Sequence, residues 1–173
     1  MIHTNDKTTN LELEFLRHSN LIEGEGDDAL ADSVEAWMYL RDLTKLTEHD
    51  ILHAHKLIGK TRDIRPEDLG VWTRYQTSVG GRNNPEPWKV PALMAAWIDT
   101  INASLSTATP WPSSTNERKA KHLHVRFEHT HPFCDINGRV GRMLLNWHRL
   151  RLGMPITVIH SDTKSKKAYY DWF

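Results

Sequence analysis

Residues 131–142 read His131-Pro132-Phe133-Cys134-Asp135-Ile136-Asn137-Gly138-Arg139-Val140-Gly141-Arg142. Within twelve residues they hold a proton acceptor, a carboxylate, an amide, two glycines and two arginines. Val140, Met143, Leu144 and Trp147 then recur at steps of three and four, the apolar spacing of a helix. A polar loop that opens a helix is a natural phosphate site, because unpaired N–H groups and the positive end of the helix dipole face the ligand. Arg139 and Arg142 are three apart and can share one face of the first turns. Two guanidinium forks suit a chain of phosphates.

The side chains divide by chemistry. His131 is the group best placed to take a proton near neutral pH. Asp135 offers a hard oxygen for Mg²⁺, which is commonly held by one or two carboxylates and substrate phosphates. Asn137 can donate its amide to a phosphate oxygen. Gly138 lets backbone approach a ligand closely. Together they suggest transfer of a phosphate-containing group from a nucleotide to a hydroxyl, driven by positioning and charge stabilisation.

The stretch resembles the Fic domain signature, H-x-F-x-(D/E)-G-N-(G/K)-R-x-x-R, at His131, Phe133, Asp135, Asn137, Gly138, Arg139 and Arg142. That resemblance implies a mostly α, single-domain fold with a short β-hairpin flap beside the active site. It also implies AMP transfer from ATP to a Ser, Thr or Tyr hydroxyl of a target protein or of the enzyme itself. His131 would deprotonate the hydroxyl and Asp135 would hold Mg²⁺. Asn137, Gly138 and Arg139 would surround the phosphates, Arg142 would meet the γ-phosphate, and Phe133 would anchor the loop in the core. Ile136 departs from the pattern, which has glycine there. A β-branched residue disfavours positive φ, so a loop that needs it would be distorted or reshaped. The nucleotide donor is left open by that departure.

Upstream, Ser19-Asn20-Leu21-Ile22-Glu23-Gly24 resembles the inhibitory motif (S/T)-x-x-x-E-(G/N) of the same family. Leu11, Phe15, Leu16 and Ile22 suggest an amphipathic helix over residues 10–24, ended by Gly24 and Gly26. By resemblance Ser19 and Glu23 are regulatory, with Glu23 pairing Arg142 and blocking productive ATP binding. The same carboxylate could instead orient water for removal of AMP. A third reading is a nucleotide-binding interaction protein with catalysis impaired by Ile136.

The rest of the chain fits one domain over residues 1–173. Helical patterns cover 28–43, Thr47 to about Ile58, Pro91 to Ile101, about 116–130, the signature helix up to Gly153, and Ser161 to the end. Residues 70–90 differ. Val71 to Val79 have β-type composition, Gly80-Gly81 signals a turn, and Pro85 and Pro87 mark the return. This resembles the family flap, where Thr77, Ser78, Val79 and Gly80 would dock an extended target segment by strand addition. Tyr169 and Tyr170 fall where the family's last helix nears the nucleotide base.

Lys+Arg and Asp+Glu both number 22, so no net field draws the chain to nucleic acid. Neither a signal-like start nor a long apolar run is present, and the single cysteine, Cys134, excludes an internal disulfide. A cytoplasmic protein without membrane partners is expected, with a homo-oligomer left open. His122, His124, His129 and His131 match no zinc spacing such as H-E-x-x-H.

Overall fold

The computed structural model describes residues 8–173. The first seven residues, included in the expected domain and in the expected lack of a signal, lie outside the described residues. Seven helices follow in order: α1 Asn10–Ile22, α2 Leu30–Arg41, α3 Glu48–Gly59, α4 Val90–Leu105, α5 Ser114–Thr130, α6 Asn137–Arg151 and α7 Thr163–Tyr170. One hairpin, β1 Ser78–Val79 and β2 Arg82–Asn83, lies between α3 and α4.

Local chemistry sets the helix ends. Thr9 and Thr47 each form a capping box, with Glu12 and Asp50 respectively. Ser113 and Asp162 cap α5 and α7 through their side chains. Pro91 sits in the first turn of α4, where its missing N–H costs nothing. Gly24 and Gly153 take positive φ just beyond α1 and α6. The final helix begins at Thr163, not Ser161, because Asp162 takes the cap, and it stops short of the terminus.

Helix α6 is the centre of the molecule and contacts α1, α2, α3 and α5. Val140, Met143, Leu144 and Trp147 enter the main core beside Phe15, Trp37, Ile51, Trp97 and Phe127. Because it is enclosed on all sides, its polar residues need partners. Asn146 exchanges two hydrogen bonds with the Thr157 backbone, Trp147 donates to the Leu43 carbonyl, and Arg149 reaches Pro155 and Glu117. Phe15, Leu16 and Ile22 bury the apolar face of α1 as expected, but Leu11 is left exposed.

The β reading of 71–79 is corrected in extent. The ladder pairs only Ser78 with Asn83 and Val79 with Arg82. Trp72 tilts over the Phe133 ring at 5.3 Å, and the Thr73 N–H donates to the Pro132 carbonyl at 2.7 Å. The Thr73 hydroxyl also accepts from the Tyr75 N–H. Such local bonds divert backbone from a ladder, and the prolines of the return cannot donate to one. The turn itself is as read, with φ of 57° at Gly80 and 78° at Gly81.

Candidate active site

The loop between α5 and α6 is built before any ligand arrives. His131 ends α5 in the left-handed region at φ 48°, its N–H bonded to the Phe127 carbonyl. Phe133 is fully buried and stacks on His55 at 3.9 Å. His55 receives the Gly70 N–H at Nδ1, so its Nε2–H points to the Asp135 carbonyl at 3.3 Å. Asn137 clips the loop shut: its Oδ1 accepts from Phe133 N–H and its Nδ2 donates to Phe133 O, both at 2.9 Å. One amide N–H of Asn137 is therefore committed to the loop.

Ile136 resolves the question raised by its sequence. It adopts φ 66°, so the loop keeps its positive φ and is not reshaped around the side chain. That conformation costs an L-residue about 1–2 kcal/mol. Burial offsets it: Ile136 is 3% exposed, and its Cδ1 reaches the niche left by Gly59, where a Cβ would lie 2.9 Å away.

Both arginines are buried at the N-terminal end of α6. Arg142 donates Nε to Ser19 Oγ at 2.9 Å, and Nη2 to both the Ser19 carbonyl at 2.9 Å and Glu23 Oε1 at 2.6 Å. Arg139 faces Glu25 at 3.7 Å, but its Nε and Nη1 are buried without an acceptor among the described residues. Burial lowers the pKa of Arg139, against the pull of Glu25, Asp135 and Glu23. A buried guanidinium with unused donors is suited to take an anion.

Glu23 sits over the first turn of α6. A Cβ on Gly138 would lie 2.4 Å from its Oε1. Cavities of 510 Å³ and 210 Å³ flank this carboxylate, and Glu23, His131 and Gly138 line both. The larger is closed by Val79, Gly80 and Arg82 of the hairpin, and by Tyr169, Tyr170 and Phe173. The smaller holds Asp135 and Arg139. Of the four expected docking residues, Val79 and Gly80 line the cavity; Thr77 instead bonds Asn84, and Ser78 sits in the ladder behind.

Electrostatics suit the expected roles. Burial lowers the His131 pKa, against the Glu128 carbonyl and the Asp135 and Glu23 charges, so the ring is neutral at neutral pH and can accept a proton. Asp135 is exposed and lines the smaller cavity, with Oδ1 accepting from the Ile136 N–H. An exposed carboxylate there is of the type that could hold Mg²⁺. Burial and nearby carboxylates push the Cys134 thiol up, against nucleophilic use.

The sequence reading missed Glu25, His55, Arg82, Glu128 and the His124–Tyr169 pair. Glu128 precedes His131 by three, which on a helix was a usable signal; for the others only tertiary packing makes the contact. The histidine-rich region holds no metal-type cluster among the described residues, and His124 bonds Gly141 O and Tyr169 OH. A separate grouping of Glu14, His18 and His160 closes on itself. Ser161 N–H donates to His18 Nδ1, so Nε2–H faces His160 Nδ1 at 3.2 Å.

A helical domain carries a histidine-bearing loop between two adjoining cavities, with Arg142 and the hairpin on the larger and Arg139 and Asp135 on the smaller. The Fic/DOC family profile matches residues 45–148, and the chain belongs to that family. The chain is 32% identical over 126 residues to "Protein adenylyltransferase Fic" of Drosophila willistoni, covering 73% of this chain and 24% of the relative. The relative of the same name in Culex quinquefasciatus is 32% identical over 127 residues, with the same coverage. The chain thus spans about a quarter of the length of these curated relatives. A solved Fic domain containing signaling protein from Bacteroides thetaiotaomicron superposes with TM-score 0.77 at 25% identity, covering 92% of this chain and 69% of that one. Fic-1 (residues 134–508) from C. elegans superposes with TM-score 0.78 at 19% identity, covering 95% and 55%, and shares the fold.

Proposed function

We propose that this chain transfers AMP from ATP to a Ser, Thr or Tyr hydroxyl of a protein target, or of itself, and that Glu23 restrains it. The observation that carries this reading is the Glu23–Arg142 bond across Gly138, between two cavities that share His131. In the reaction, His131 accepts the proton of the target hydroxyl. The hydroxyl oxygen then bonds to the α-phosphorus as the bond to the leaving pyrophosphate breaks. Arg139 contributes its unpaired N–H donors to the phosphate oxygens, and the α6 N-terminus adds backbone donors there. Asn137 holds the loop with one amide hydrogen and presents the other to phosphate. Mg²⁺, held by Asp135, would neutralise phosphate charge when bound. The hairpin at Val79 and Gly80 aligns an extended target segment with His131.

While Glu23 stays on Arg142, its carboxylate both occupies the guanidinium and repels phosphate. Intact-mass spectrometry of wild type and Glu23→Gly after incubation with ATP and Mg²⁺ tests the whole reading. The expected result is a gain of one AMP, larger in the variant and absent when His131→Ala is added. If Glu23→Gly shows no gain with added protein targets, but wild type removes AMP from a modified protein and the variant does not, Glu23 serves hydrolysis and the transferase reading fails.

A further inference from the structure

Glu128 lines the larger cavity from the last turn of α5, and its side chain is only 13% exposed. Its Oε1 is enclosed and meets no hydrogen-bond donor among the described residues. That oxygen presses on Gly141, where a Cβ would lie 2.0 Å away, so the bare glycine is what admits the carboxyl. No cationic group among the described residues bonds to Oε1. His124 Nε2 stands 4.0 Å off. The Gly141 carbonyl can only accept, so His124 Nδ1 carries the ring proton, and Nε2 is left to accept from the Tyr169 hydroxyl. Arg142 is engaged by Ser19 and Glu23. A carboxyl so placed keeps its proton: burial raises its pKa to about 7, with Arg142 pulling down and Glu23 adding to the rise.

We propose that Glu128 is a nucleotide-binding residue that works protonated, donating a hydrogen bond to the anionic phosphate oxygens that approach Arg142. The proposal rests on the nucleotide reading of the cavity. An ionised Glu128 would repel those oxygens. Bound polyphosphate therefore holds the proton on the carboxyl, and nucleotide binding is linked to proton uptake. The groups facing Glu128 are Arg142 from α6, Glu23 from the end of α1, His124, His129 and His131 from α5, Tyr169 and Tyr170 from α7, and Arg82 from the hairpin. His129 and His131 are the imidazoles that line the cavity with it, so each needs its own control.

The test is calorimetric titration of ATP into Glu23→Gly, which frees Arg142, at about pH 8 in two buffers of different ionisation enthalpy. The variant is expected to take up a fraction of a proton per ATP, and its affinity should fall at least ~5-fold from about pH 6.5 to 8.5. Adding Glu128→Gln, an isostere that keeps the niche at Gly141, should abolish both effects, while adding His129→Ala or His131→Ala should keep them. Titration of ATP itself is common to all variants and cancels in the difference. ATP binding with the same proton uptake in Glu128→Gln overturns the proposal, as does uptake that disappears only with His129→Ala or His131→Ala. If Glu23→Gly binds no ATP at any pH, the nucleotide reading falls and this proposal with it.

Discussion

Ile136 shows how a single residue balances strain against packing. It holds φ 66° where glycine would be unstrained, yet it is 3% exposed in the main core. Replacing it with glycine releases about 1–2 kcal/mol of backbone strain, but deleting a buried aliphatic side chain costs about 2–5 kcal/mol. Ile136→Gly is therefore expected to lower stability by roughly 1–3 kcal/mol, read as a lower urea midpoint at unchanged m-value; a stabilised variant would show that the strain is the larger effect. His131 gives a second residue-scale prediction. Because burial lowers its pKa, the neutral base persists to more acidic pH than an exposed histidine allows. In Glu23→Gly, the acid limb of the transfer rate should lie below the ordinary histidine value of about 6.5; a limb centred above that value would remove His131 from the role. His131, Asp135 and the two arginines were legible because loop chemistry and helix spacing are local. Glu25 was not, since nothing local distinguishes a solvated carboxylate from one that faces Arg139, and Glu128 offered only its three-residue spacing to His131, which does not show that it presses on Gly141.

Among the elements, α1 is a lever whose fixing points lie away from the site. Glu12 is 4% exposed and accepts from the Trp37 indole at 2.8 Å, the Thr9 N–H at 2.6 Å and Arg41 at 3.4 Å. Removing that carboxylate leaves a buried indole N–H without its acceptor and breaks the capping box, a loss of about 2–4 kcal/mol. Glu12→Ala should thus speed amide exchange across Asn10–Ile22 and raise self-modification, as is expected of Glu23→Gly, although Glu12 lines neither cavity. Faster exchange with unchanged activity would separate the mobility of α1 from the inhibition. The helix itself could be read from its apolar spacing and Gly24, and α3, α4 and α5 from Thr47, Pro91 and the serine-rich loop before residue 116. The hairpin was legible at its glycines and overread along its strand, because β-type composition cannot tell a paired strand from Trp72 covering Phe133. The docking of α1 was visible only by family resemblance: Glu23 and Arg142 are 119 residues apart.

At the scale of the whole molecule, three buried histidines pin the central helix and its loop, and they make the fold sensitive to acid. His55 ties the loop to α3 and Gly70, His124 joins α5 to α6 and α7, and His148 meets Ser104 of α4. Each is at most 2% exposed, and burial lowers their pKa values to about 4, 3 and 4 respectively. A histidine whose folded pKa is depressed contributes stability that is full above its unfolded value, about 6.5, and is lost as pH falls from there through the folded value. Glu128 runs the other way. Its folded pKa, about 7, lies above its ordinary value, so its contribution is full at acid pH and lost as pH rises through about 4.5 to 7. Near pH 5.5 the unfolded chain binds roughly three histidine protons that the fold excludes, while the fold binds about one carboxyl proton that the unfolded chain has released. The histidines win by about two protons, so stability should climb by roughly 2–3 kcal/mol per pH unit there. Above about 6.5 the last of the histidine rise and the loss from Glu128 come to cancel, so stability levels off above about pH 7. Against a total of about 5–15 kcal/mol, the acid slope is enough to unfold the domain at about pH 4. Urea unfolding followed from about pH 4 to 8 should show the steep acid side and a plateau above about pH 7. Glu128→Gln should steepen the acid side and carry the rise further before it levels off. A stability flat from pH 5 to 6.5 would mean that the three rings are charged in the folded protein, and that α6 is held by some other means.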